Sequence, residues 1–337
     1  MKYLAIALAT AALTGAQTPA ISIKPSPVGM EVPDAPRSVL AMTGTRTGVP
    51  ILGYLVGPGP LDLRAITGTG KAARLGGPVA LPSGVKHLFA PPREHYVLLE
   101  SSGAEPLAVW LPAKGDAEGT PVSKAMPHPD AVCFSARGEA AVVYAKSSDR
   151  LQVISGLPGE PSVALEPGIA KFGEAASFAV SDDGGVVVAM LGDGTAISSL
   201  RGSEWQRLPA AYGASALLFV SHTHNLVVSD AGQQTLRLVS NIGEETQGAV
   251  MVAQSVSADR LAFTKEGDVL LAASLSQGRL WTVDLKTMTP GAVAASAIEM
   301  LLPLRDGHTF LLSPSGLSLV NVPADRESAA RFVSVTH

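Results

Sequence analysis

Residues 176–200 read ASFAVSDDGGVVVAMLGDGTAISSL, and residues 259–284 read DRLAFTKEGDVLLAASLSQGRLWTVD. Each opens with a short apolar strand, turns at Asp-Gly or Glu-Gly, and runs into a second strand with no polar face: Val186-Val187-Val188-Ala189-Met190 in one, Val269-Leu270-Leu271-Ala272-Ala273 in the other. A second tight turn, Asp193-Gly194 or Gln277-Gly278, leads into a third strand that alternates. Alternation marks a half-buried strand, whereas an unbroken apolar run of this length marks one buried on both faces. Glycine and aspartate at the turns supply the positive φ that tight hairpins require.

The same pattern begins again at Ser38, His87, Ala131, Ala216 and Ile298. Aligning the first turn places Gly48, Glu94, Gly138, Gly184, His224, Gly267 and Gly307 together. The period is about 43 residues, the length of one four-stranded propeller blade. A weaker fourth strand follows in each unit, as at residues 161–165, 205–208 and 249–254. The sequence therefore predicts an all-β fold, a seven-bladed β-propeller of four-stranded antiparallel blades over residues 37–337. Its last outer strand is expected at residues 331–335, with residues 21–24 as the alternative closing strand.

Composition agrees. Only 16% of the 337 residues are charged, 46% are hydrophobic, and 34 glycines and 25 prolines punctuate the chain. Cys133 is the only cysteine, so no intramolecular disulfide is expected. The net charge of -4 comes without basic runs, which argues against nucleic acid as a partner. Lys2, the apolar residues 3–13 and the small residues Thr14, Gly15 and Ala16 read as a signal peptide, residues 1–16. An apolar run of about 11 residues is too short to span a bilayer. Residues 17–36, rich in proline, read as a linker. The expectation is a periplasmic or secreted monomer with no membrane span once the leader is removed.

FSARGEAAVVYA, VSDDGGVVVAML, FTKEGDVLLAAS and GRLWTVDLKT resemble blades of WD40-like and YVTN-type bacterial propellers. The likeness is one of pattern: no Trp-Asp dipeptide, Tyr-Val-Thr-Asn or aspartate box is present. It implies the fold and no particular activity.

Candidate chemistry is sparse. His222-Thr223-His224 has chelate spacing but occupies a first turn, and the next residues enter a strand. Thr67-Gly68-Thr69-Gly70-Lys71 lacks the leading glycine of a phosphate loop, Ala65 standing in its place. Cys133 falls in an inner strand, where a small apolar residue fits. The repeat itself points elsewhere. Residues that open the innermost strands converge on one mouth of the channel, and there the alignment puts Leu40, Lys86, Asp130, Ala176, Ala216, Asp259 and Glu299. With the adjacent Arg37, His87, Glu174, Tyr212 and Arg260 they form a charged rim. Lys86, His87, Asp130, Asp259, Arg260 and Glu299 are the predicted ligand-binding residues; no catalytic residue, metal ligand or cofactor is predicted. The expected function is a non-catalytic binding or scaffold protein for a protein, peptide or polysaccharide. The alternative resembles propeller lactonases, with Asp130, Asp259 and Glu299 around a divalent cation and His87 carrying protons.

Overall fold

The chain is described here from a computed structural model. It covers residues 49–334 apart from 58, 60, 70–71, 103–104, 116–117, 245–246, 265–266, 295–297, 307–308, 314–315 and 322–330. These residues belong to one compact unit, Thr47–His337. The expected signal peptide, the linker, the closing strand at 21–24, and Arg37 and Leu40 lie outside the described residues.

Among the described residues, every regular element apart from short 3₁₀ turns is a strand. β1 (Ile51–Val56), β2 (Leu63–Thr67) and β3 (Arg74–Pro78) form a three-stranded sheet. Four-stranded sheets follow in chain order. They are β4 (Val85–Phe89) to β7 (Thr120–Pro121), with β5 at Val97–Ser101 and β6 at Leu107–Trp110; then β8 (Ala131–Phe134), β9 (Ala141–Ala145), β10 (Arg150–Ser155) and β11 (Ser162–Leu165). Next come β12 (Ala175–Val180), β13 (Val186–Leu191), β14 (Ala196–Leu200) and β15 (Gln206–Arg207), then β16 (Ala216–Phe219), β17 (Leu226–Asp230), β18 (Thr235–Ser240) and β19 (Gly248–Gln254). The last two are β20 (Arg260–Phe263), β21 (Val269–Ser274), β22 (Arg279–Asp284) and β23 (Thr289–Ala294), and β24 (Met300–Pro303), β25 (Thr309–Ser313), β26 (Gly316–Asn321) and β27 (Arg331–Ser334).

Each is an antiparallel meander, and in the sheets from β4 to β23 the second strand is buried on both faces. β9 and β17 are buried throughout, and β13 and β21 nearly so. The core lies between sheets rather than within one. Val142, Tyr144, Leu151 and Val153 of one blade pack on Phe178, Val180, Val187 and Ala189 of the next, and Tyr96, Leu98 and Val109 pack on Ala141, Val143 and Ile154. The three-stranded sheet fits the same ring. Leu52, Leu55 and Ile66 pack on Leu302 and Leu304 of the β24–β27 sheet, while Tyr54 and Leu63 pack on Leu88, Val97 and Leu99 of the β4–β7 sheet. The fold is a β-propeller.

Two expectations need correction. Among the described residues six four-stranded blades are present, not seven; the remaining sheet has three strands. The first turn of the β16–β17 hairpin is also not the glycine turn of its neighbours. Gly138, Gly184 and Gly267 carry the left-handed φ at the residue closing the turn, whereas here His222 carries it and Thr223 closes onto Val220. His224 therefore lies past the glycine-equivalent position. Among the alternatives for the outermost strand of the last blade, the pairing of β26 with Arg331–Ser334 fills that place from the C-terminal side.

The first turns are tied to one another. Asp182, buried in the β12–β13 turn, accepts the Arg137 N–H at 3.0 Å through one oxygen and the His222 N–H at 2.9 Å through the other. One carboxylate thus joins the turns of three successive blades. Arg93, held at φ 64° by the β4–β5 turn, donates through Nη2 to the carbonyls of Phe263 and, at 2.7 Å, Thr264. Those carbonyls belong to a blade four further along the chain.

Candidate functional site

At the mouth where inner strands begin, β4 carries a bulge between Val85 and His87 that sets Lys86 apart from the ladder. Such an insertion re-aims side chains, and both Lys86 and His87 are exposed. His87 pairs across the strands with Glu100, which follows three apolar residues in β5. The Glu100 side chain is 1% exposed, yet it is shared by two imidazoles: His87 Nδ1 lies 2.6 Å from Oε2, and His128 Nδ1 lies 2.8 Å from Oε1. The rings themselves are 59% and 69% exposed. His128 enters from the link between two blades at φ 53°, a conformation uncommon for non-glycine residues. A fully buried carboxylate is tolerated only when both oxygens are matched.

The other predicted residues behave differently. Asp130 immediately precedes β8, and its Oδ2 accepts the N–H of Lys146 at 2.7 Å. Asp259 immediately precedes β20, and both its oxygens accept the N–H of Leu275 at 3.2 Å. Ser215 does the same in the β16–β19 blade, its hydroxyl accepting the N–H of Ala231 at 3.1 Å. A capping residue ahead of the inner strand thus closes the following hairpin, so two rim aspartates are explained by local folding. Arg260 donates to the Asp259 carbonyl at 2.7 Å, and Glu299 is exposed. Lys146 and Glu174 pair at 2.6 Å in solvent; the bond and charge of Glu174 raise the lysine's pKa. Among the described residues, no hydrogen bond or ion pair joins the side chains of any two of the six predicted positions, and no three His, Cys, Asp or Glu side chains gather as a metal centre.

Sequence reading missed Glu100 and His128. A signal existed. The residues cross-strand from the first inner-strand position, taken past the bulge where there is one, in the other five blades are Tyr144, Met190, Ser229, Ala273 and Leu312, and none is charged.

The opposite, first-turn mouth is densely charged. A cleft of about 230 Å³ is lined by Glu139, Asp182, Asp183, His222, Thr223 and His224. His224 Nε2 lies 3.1 Å from Asp183 Oδ2. Burial works against the Asp183 carboxylate, but bonds from the Ser181 hydroxyl, the Gly185 N–H and His224 outweigh it and lower its pKa. This histidine pair is therefore a turn whose polar groups tie neighbouring blades. Nearby, burial lowers the pKa of His95, assisted by the charges of Arg305 and Lys114, and raises that of Glu94 against the pull of Arg305.

Cys133 is a free thiol on the inner strand β8, its pKa raised by burial. Residues 67–69 turn out of β2, with Gly68 at φ 118° and Ala72 N–H on the Thr69 carbonyl; Gly70 and Lys71 lie outside the described residues. An apolar slot of about 320 Å³ runs between β1, β4 and β24, walled by Gly53, Leu88, Phe89, Leu302 and Leu304. Another, of about 270 Å³, lies beside Tyr212 and Arg207. Among the described residues, no helix is long and apolar enough to cross a membrane.

No family model matches the sequence, and no curated protein matches it. Solved structures do. The chain is similar to hydrazine synthase of Kuenenia stuttgartiensis, at 12% identity and TM-score 0.52, over 81% of this chain and 92% of that one. It is similar to PorZ, a bacterial surface component of the type-IX secretion system of Porphyromonas gingivalis, at 12% identity and TM-score 0.53, over 86% of this chain and 39% of that one. The β-propeller domain of Cps50 (Swd1) from Myceliophteria thermophila is 16% identical with TM-score 0.45, over 62% of this chain and 72% of that domain. At these identities the likeness is one of fold alone.

Proposed function

We propose that this chain is an exported binding protein that holds a protein, peptide or polysaccharide at the strand-start mouth without turning it over. The observation that carries the reading is Glu100, buried and bonded to two imidazoles whose rings remain in solvent beside the bulged Lys86. A preorganised polar cluster on a rigid scaffold suits recognition. Lys86, His87, His128, Arg260 and Glu299 are the contact residues; Asp130 and Asp259 hold the backbone beneath them.

The test is to immobilise the purified chain and a K86A/H87A/H128A variant, and expose both to envelope proteins and cell-wall polysaccharides of the source organism. The expected outcome is a bound species retained by the parent, lost by the variant, and recovered with its mass unchanged. Equal retention by both would overturn the site, and a cleaved product would overturn the non-catalytic reading. Export predicts a mature N-terminus near Gln17, read by sequencing the protein from the periplasm or medium.

The same reading makes the three-stranded sheet a seventh blade whose inner strand is the segment 38–45, supported by the repeat and by the packing of that sheet between two others. Hydrogen exchange at 38–45 should then be as slow as in β4 and β24; unprotected amides there would refute it.

A further inference from the structure

We infer that the outer strand β19 is an interface through which two copies of this chain pair antiparallel, edge to edge. The outermost strand of a propeller blade leaves one row of backbone N–H and C=O groups unpaired, a template for a further strand unless the edge is blunted. Among the described residues, six of the seven sheets blunt theirs. β7 and β15 are two residues long, with Pro121 in one and Arg207 in the other. β3 carries Arg74 and Pro78, β23 carries Pro290, and β27 begins at Arg331. β11 is short, and Ser123 forms a parallel bridge with its first residue, Ser162. β19 has none of these devices. It is the longest outer strand, Gly248–Gln254, and holds neither proline nor charge. Gly248–Met251 are exposed, Val250 and Met251 at 48% each. The bulge in its pairing with β18 falls past them, at the buried Val252, so the exposed stretch keeps a regular ladder.

What completes such an edge is another strand, and the charge pattern selects which. A two-fold interface sets a patch against itself, so a charge on a self-paired strand meets its own kind, and like charges placed opposite are destabilising. Arg74, Arg207 and Arg331 therefore count against self-pairing of β3, β15 and β27. β19 sits within residues 246–258, which contain no charged residue at all, so a second β19 meets it without repulsion. Successive side chains of a strand point to opposite faces, so Val250 and Met251 would leave water on both faces of the joined sheet while the backbone rows pair. Each chain carries one such edge, and the pairing closes at two copies rather than growing into a filament. β19 lies at the far side of its sheet from the inner strand β16. The inference thus goes beyond the binding reading, and its failure leaves the partner-capture result untouched.

The purified chain is followed by sedimentation velocity from micromolar to near-millimolar concentration, with hydrogen exchange measured at both ends of the range. An interface of one strand pair is small, so a weak, concentration-dependent dimer is expected. Amides within residues 248–251 should exchange more slowly in the dimer, while those of β23 should not change. V250K and M251K should each weaken association at least about tenfold, and V250K mixed with V250E should associate more strongly than either alone. Both positions are about half exposed, so the variants should melt with the parent; if V250K melts early, M251K still decides the matter. A single monomeric species throughout, a dimer unchanged in both lysine variants, or a mixture of V250K and V250E no stronger than V250K alone overturns the interface. Protection of residues 248–251 that is equal at every concentration would place some other segment on this edge, and overturns the second copy as its occupant.

Discussion

Removing the Asp182 carboxylate should loosen three blades at once. It accepts the backbone N–H groups of Arg137 and His222 at 3.0 and 2.9 Å while only 7% exposed, and its charge also acts on the buried Arg93 guanidinium. A hydrogen bond to a charged acceptor contributes about 1.5–3 kcal/mol. D182A leaves two donors without it, for a loss of about 3–6 kcal/mol, and water entering the opened turns brings the net toward the lower figure. At about 2–4 °C per kcal/mol for a chain approaching this size, the melting temperature should fall by about 6–12 °C. D182N, which keeps one acceptor oxygen, should fall between D182A and the parent. Calorimetry gives the melt, and residue-resolved hydrogen exchange gives the mechanism: the amides of Arg137 and His222 should both exchange faster in D182A. A D182A melt within about 1 °C of the parent, or unchanged exchange at both amides, refutes the stapling role.

Three further outcomes follow from the geometry. R93K keeps the charge but loses the planar fork that reaches Phe263 and Thr264, and should lower stability by about 1–3 kcal/mol in urea unfolding. D259A should destabilise the β20–β21 hairpin by about 1 kcal/mol, while D259S should recover part of that, because Ser215 caps its own hairpin from the equivalent place. His95 has a folded pKa below its unfolded one, so the unfolded chain takes up protons first. Its contribution is present above about pH 6.5 and is lost as pH falls through the folded value. H95Q should therefore flatten the melting-temperature profile on the acid side of pH 6.5.

The blades were legible because their physics is local. Val186–Leu191 has no polar residue, so it must be buried on both faces, and Gly184 and Gly194 bracket it with turns. The site was less legible because its contacts are tertiary. Nothing near Glu100 in the chain announces that its oxygens meet nitrogens 13 and 28 residues away on two other segments. The bonds of the rim aspartates are local instead. Asp130 and Asp259 recur as an acidic pair at one mouth, but each reaches a backbone N–H 16 residues on in its own blade. Asp182 reads as an ordinary turn residue, and only the closure of the ring brings it between Arg137 and His222.

Arrays of repeats that touch only their neighbours can fray from either end, one unit at a time. The Arg93 guanidinium, anchored in the β4–β5 turn and bonded to the end of β20, is a chord across such an array, and the Arg93 N–H on the Pro303 carbonyl adds a second. With those chords in place, melting the blade that begins at β20 also releases the blade that begins at β4. Unfolding of this protein should accordingly be one cooperative event rather than a peeling of blades from the C-terminal side, with a single arginine adding to the apolar contacts between the first and last sheets.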